Sequence, residues 1–140
     1  IENGDTTPGH KVLGIAAKYG NILFIRYLLE DLGMDSEEYI LTTIWTASLN
    51  GQLDIVFYIT DIYNVNLRKY DYNPLRLAAE NGHRDVALYL ENILAKDSSY
   101  WERLHLYFIA RNMIPEGKKL AIIAGGVAAV LTSGKRPVYG

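Results

Sequence analysis

The chain has no cysteine, which excludes a disulfide framework, a thiolate metal site and a cysteine nucleophile together. It also lacks an excess of charge of either sign, with 14 Lys and Arg against 16 Asp and Glu and a formal net charge of -2. Phosphate backbones are held by clustered Lys and Arg, so nucleic acid is not the partner this composition points to. A basic, then apolar, then small-residue leader is missing, and the chain opens at Ile1 rather than at methionine, as expected of a processed product or a fragment. No stretch sustains the period-two alternation of a half-buried strand. What is present is ordinary globular composition, 49% hydrophobic and 21% charged over 140 residues, enough for one domain with a core. The absence of cysteine suits an intracellular, cytoplasmic setting.

Self-similarity organises the rest. At a spacing of about 31 residues, Gly20, Gly51 and Gly82 fall in one column, Ala16, Ala47 and Ala78 in a second, and Leu13, Ile44, Leu75 and Leu106 in a third. Tyr27, Tyr58 and Tyr89 align as well, and Asn50, Asn81 and Asn112 carry the register into a fourth, less regular unit. Within a unit, a helix with small residues meets a glycine. A second helix follows, with apolar residues at helical spacing such as Ile22, Ile25, Leu28, Leu29 and Leu32. The glycines sit where the first helix must stop and reverse, a place that favours left-handed backbone. Small pairs such as Ala16–Ala17, Ala47–Ser48 and Ala78–Ala79 permit close approach between units. Asp35 with Glu38, and Ser99 with Glu102, have capping-box spacing, which predicts helix starts near Ser36 and Tyr100. Pro74 fits the first turn of the third unit's first helix, where its missing N–H is not needed.

The stretch Asn73-Pro74-Leu75-Arg76-Leu77-Ala78-Ala79-Glu80-Asn81-Gly82-His83 resembles the ankyrin signature T-P-L-H-x-A-A-x-x-G-H. A second copy runs from Leu13 to Asn21 and continues through Ile25-Arg26-Tyr27-Leu28-Leu29. Residues 10–97 carry the resemblance in three units, and 98–132 follow it loosely. The resemblance implies an all-α solenoid of stacked antiparallel helix pairs with short inter-repeat turns. Its expected organisation is three repeats over 1–97, a degenerate capping repeat over 98–134 and a tail, 135–140. Gly14, Trp45, Arg76 and Tyr107 replace the signature histidine, and only Asn73-Pro74 keeps the Thr-Pro pair. The turn that Thr and His brace in the family is therefore expected to be altered and blunt.

For function, the resemblance implies a protein-binding surface: the concave face formed by inter-repeat turns and the open side of the first helices. Carried over by position, its residues are His10, Lys18 and Tyr19, then Glu38, Tyr39, Leu41, Leu49 and Asn50. In the third unit they are Lys69, Tyr70, Tyr72, Glu80 and Asn81. Tyr19, Tyr39, Tyr70 and Tyr72 are the preferred anchors, since tyrosine offers large contact area at small entropic cost. The pattern is equally compatible with tyrosines packed between repeats, and with Leu41 and Leu49 in the core.

The run from Leu120 to Thr132 has no polar face and is bracketed by Lys118-Lys119 and Lys135-Arg136. A terminal repeat should show water a polar exterior, so this segment needs cover. Leu120, Ile123, Val127, Val130 and Leu131 are the expected contacts. Two readings stand: a packed cap covered by the chain itself or a partner subunit, and a membrane-docked segment over 115–132, short against the ~20 residues of a span. The second would make the chain a membrane-associated accessory subunit of a larger complex. The first keeps it an interaction module or scaffold subunit, and either places it in a hetero-complex.

No catalytic constellation emerges, and no enzyme activity, cofactor or metal is expected. His83-Arg84-Asp85 has the order of a kinase catalytic loop, but Leu90 stands where Asn is required. Ala129 and Arg136 break the phosphate-loop pattern around Gly134-Lys135. His10, His83 and His105 lie in different units without metal-ligand spacing.

Overall fold

A computed structural model describes residues 7–113 as a series of α-helices with no strand among the described residues. α1 spans Thr7–Lys18, and α2 (Ile22–Arg26) runs on through a π-helical turn, Tyr27–Asp31. α3 is Glu37–Leu49, α4 Leu53–Ile62, α5 Lys69–Glu80, α6 Arg84–Ala95 and α7 Tyr100–Ala110. The inner helices stack in a row, α1 on α3, α3 on α5 and α5 on α7, while α4 lies against α6 behind them. The segment 115–132, with Leu120, Ile123, Val127, Val130 and Leu131, lies outside the described residues. Among the described residues no helix is long and apolar enough to cross a membrane.

The reversals follow the glycines. Gly20, Gly51 and Gly82 have φ of 75°, 72° and 78°, and at each the next residue's N–H bonds back into the helix just ended. Asn21 donates to Ala16 at 2.9 Å, Gln52 to Ala47 at 2.8 Å and His83 to Ala78 at 2.9 Å, the closure that satisfies a helix's last carbonyls. The fourth unit departs from the sequence columns. Asn112 has φ 56°, and Met113 N–H bonds Phe108 O at 2.8 Å, so Asn112 holds the glycine's place rather than that of Asn50 and Asn81. α7 therefore ends one residue early, at a residue type that tolerates left-handed backbone.

Two of these turns are also covered by the following unit. Gln52 Nε2 donates to Lys18 O at 2.9 Å, and a Cβ on Gly20 would lie 2.7 Å from Gln52 Oε1. The His83 ring occupies the same position over Gly51, while nothing stands near the Cβ site of Gly82.

The core is the repeated apolar columns. Leu13, Ile44, Leu75 and Leu106 are each 0% exposed, with Ala16, Ala47 and Ala78 buried beside them. The outer helices add Ile25, Ile55, Ile59, Val86 and Leu90. In the tyrosine column, the Tyr58 hydroxyl donates to Glu30 of the preceding unit, and Tyr89 shares a 2.8 Å hydrogen bond with Thr60 of its own preceding unit. Burial and the Glu30 carboxylate push the Tyr58 phenol up, so it stays protonated.

α3 and α7 each start where serine precedes an acidic turn. Ser99 Oγ accepts from Glu102 N–H at 3.1 Å, as the spacing predicts. At α3 the cap is Ser36, which accepts from Tyr39 N–H, one residue beyond the expected Asp35. α5 begins irregularly: Tyr70, Asp71 and Tyr72 have φ of 56°, 59° and 61°, a left-handed turn before right-handed helix resumes around Pro74. Each such non-glycine residue costs about 1–2 kcal/mol, so the turn must be held from outside. Arg76, standing at the signature histidine position, is 4% exposed. Its Nε donates to Asp71 O at 2.8 Å and its Nη2 lies 3.0 Å from Asp71 Oδ2. The turn that the resemblance put in doubt is thus braced by arginine.

Candidate functional site

The first helices present their N-terminal ends along one edge of the stack. Tyr39, Tyr70 and Trp101 recur there at the repeat spacing, one per unit in α3, α5 and α7. Tyr70 is 60% and Trp101 41% exposed; Tyr39 is half-buried. Each ring is propped by a second aromatic. Tyr39 meets His10 edge-on with centroids 5.0 Å apart, Tyr70 meets Trp45 at 5.4 Å, and Trp101 meets Tyr100 at 5.1 Å.

The left-handed turn places Tyr70. Lys69 Nζ lies 5.5 Å from the Tyr70 ring centre and 3.2 Å from Glu37 Oε2 of the preceding unit, so charge and ring meet at one point. Among the described residues, the Trp45 indole N–H beneath it has no acceptor. At the other end of the edge, His10 Nδ1 and Thr42 Oγ1 share a 2.6 Å hydrogen bond, joining α1 to α3.

The remaining sequence candidates divide by burial. Lys18, Tyr19, Glu38, Leu49, Glu80 and Asn81 are exposed, and His10, Asn50 and Lys69 half-buried. Lys18 Nζ sits 5.4 Å from the Tyr19 ring centre. Asn50 and Asn81 spend their amides on their own helices, each Nδ2 donating 2.8 Å to Thr46 O and Leu77 O respectively. Leu41 and Tyr72 are corrections, because both are core. Leu41 is 7% exposed, since it shares a side of α3 with buried Ile44 and Ser48 at helical spacing. Tyr72 is 1% exposed, because the left-handed turn swings its ring to the junction with α7.

At that junction Tyr72 donates to Glu102, and Arg68 Nε reaches Glu102 Oε2 at 2.8 Å while its Nη2 reaches Asp97 at 2.9 Å. Burial alone would raise the Glu102 carboxyl, but the Arg68 guanidinium and Tyr72 hydroxyl hold it down at about 2. Glu102 and Asp97 in turn push Arg68 up. His105 is 0% exposed, with its ring centre 5.7 Å from that of Tyr72. These groups tie the third unit to the fourth and leave no open face for a ligand. Among the described residues no group of His, Asp and Glu is arranged to hold a metal.

Sequence reasoning missed Trp45, Tyr100 and Trp101. A signal for Trp101 was present, since it continues the Tyr39 and Tyr70 column at the same interval.

Residues 13–97 match the family described as Ankyrin repeats (3 copies). The chain belongs to the ankyrin-repeat family. The matched residues run from the middle of α1 to just past the end of α6. No curated protein and no solved structure matches the chain. Ankyrin repeats generally mediate protein–protein interaction and are typically non-enzymatic, and a protein is the class of partner this family brings.

Proposed function

We propose that this ankyrin chain captures a protein partner along the edge formed by the N-terminal ends of its first helices. Tyr39, Tyr70 and Trp101 are the anchors in this reading. The observation that carries it is the aromatic column itself: one ring per successive unit, with Tyr70 60% and Trp101 41% exposed. Large aromatic side chains on a rigid scaffold bind at small ordering cost, and the Arg76 brace supplies that rigidity at Tyr70. Glu37, Glu38 and Lys69 ring the anchors with charge of both signs, which favours a polar-rimmed protein surface over an apolar one.

The test uses the immobilised full chain beside a Tyr70→Ala, Trp101→Ala variant, with captured proteins quantified by mass spectrometry. Loss of two anchors worth about 2 kcal/mol each is expected to weaken binding of the specific partner roughly several hundredfold, while helix content by circular dichroism stays unchanged. Equal capture by both proteins refutes the assignment. The finer expectations, membership of a hetero-complex and a scaffold role, rest on identification of that partner.

A further inference from the structure

α4 keeps apolar side chains open to solvent as well as toward the core. Ile55, Val56 and Ile59 face the core at 0% exposure, yet Phe57 and Ile62 are 55% and 56% exposed, with Leu53 half-buried beside them. Together with Ile22 of α2 they bound a groove with a volume of about 700 Å³. Asp54 and Asp61 lie along it, and among the described residues neither has an ion-pair partner. Large apolar side chains clustered together and open to solvent mark a contact surface, and those of α4 lie beside two carboxylates.

The same chain carries a matching segment. Residues 120–132 have no polar face, and Lys118, Lys119, Lys135 and Arg136 flank them, opposite in sign to the carboxylates beside the groove. In helical form the run would reach about 20 Å, enough to cover the ~15 Å of α4. We infer that residues 118–136 of one copy dock in the α4 groove of a second copy, reciprocally, with the basic pairs beside Asp54 and Asp61.

Two observations favour exchange over docking within one chain. α6 stands between α7 and α4, and crossing two helix-to-helix spacings of 8–10 Å would use most of the ~23–25 Å that the seven steps from Met113 to Leu120 can span. The nearer surface, the open edge of α6, is a poorer match. Leu88 and Ala95 share it with Glu91 and Asn92, and Glu91 is already paired with Arg111 at 3.1 Å. Arg84 and Arg111 beside it repel the lysine pair.

Because the chain has no cysteine, the docking can be read by oxidative cross-linking of the full chain. Differently tagged Phe57→Cys and Val127→Cys chains are mixed and oxidised, beside a Leu88→Cys and Val127→Cys mixture, after circular dichroism confirms equal helix content. The mixed Phe57–Val127 disulfide is expected to form at least tenfold faster than the Leu88–Val127 one, and at least tenfold slower when Asp54→Lys and Asp61→Lys are added to the first chain. Faster linkage through Leu88 would assign the segment to the fourth outer-helix position and overturn the inference. So would linkage only within a single chain carrying both Phe57→Cys and Val127→Cys, an unchanged rate with the acidic residues reversed, or no linkage at all.

Discussion

The junction between the second and third units and the junction between the third and fourth join the same kinds of helix by different physics. At the first, small residues, a glycine turn and an apolar core carry the contact. Ala47 and Ala78 are each 0% exposed, as are Ile44 and Leu75, and His83 closes over Gly51. At the second, Arg68, Tyr72 and Glu102 form a hydrogen-bonded polar group with buried His105 beside it. Non-directional apolar contact tolerates repetition, so the first junction leaves a regular signature in sequence. A polar cluster works only with every partner in place, and its residues share no period.

Glycine substitution breaks the regular junction hardest. In Gly51→Val the side chain meets left-handed strain and the His83 ring together, and unfolding is expected about 2–5 kcal/mol easier, the sum of roughly 1–2 for strain and 1–3 for overpacking. Chemical denaturation gives the value directly. At the irregular end, Glu102→Gln is expected to cost on the order of 2 kcal/mol near neutral pH. The sign follows from the carboxyl being held at about 2 when folded, against 4.5 as its ordinary value. Its stabilisation is complete above about 4.5 and disappears as pH falls toward 2, so the variant's stability should vary less over that window. Urea midpoints measured between pH 2 and 6 on both proteins check this.

A sharper use of the comparison is Gly82→Val, whose Cβ site has nothing near it. Strain alone remains, about 1–2 kcal/mol, and the gap between the two glycine variants then isolates the contribution of His83. If both lose equal stability, the stacking of His83 on Gly51 contributes nothing. The smallest effect is expected for Tyr89→Phe, which removes one half-buried hydrogen bond to Thr60. A loss of about 0.5–1 kcal/mol, read as a small drop in thermal midpoint, separates a tyrosine that clips two units together from one that merely fills space.

How much of this was legible in the chain depends on how narrowly each position restricts residue type. Gly20, Gly51 and Gly82 were legible because left-handed backbone at a crowded turn admits almost nothing else. Leu13, Ile44, Leu75 and Leu106 were legible because a buried position repeats with its helix. Tyr72 was not, since its direction depends on a three-residue left-handed turn that no residue type announces and that Arg76 holds through Asp71, five positions away. Leu41 was left between surface and core because family position argued for the one and its helical spacing to Ile44 and Ser48 for the other, and burial of all three decides for the core. Of the candidate site, Tyr39, Lys69 and Tyr70 came from family position, and Trp101 lay in the same column. Trp45 required the fold, because only packing brings it under Tyr70.

The cover that Gln52 lays over Gly20, and His83 over Gly51, points in one direction only, from each unit toward its predecessor. During synthesis the amino-terminal hairpins leave the ribosome first, so the corners at Gly20 and Gly51 stay uncovered until the following module has been made, whereas that at Gly82 awaits no such lid.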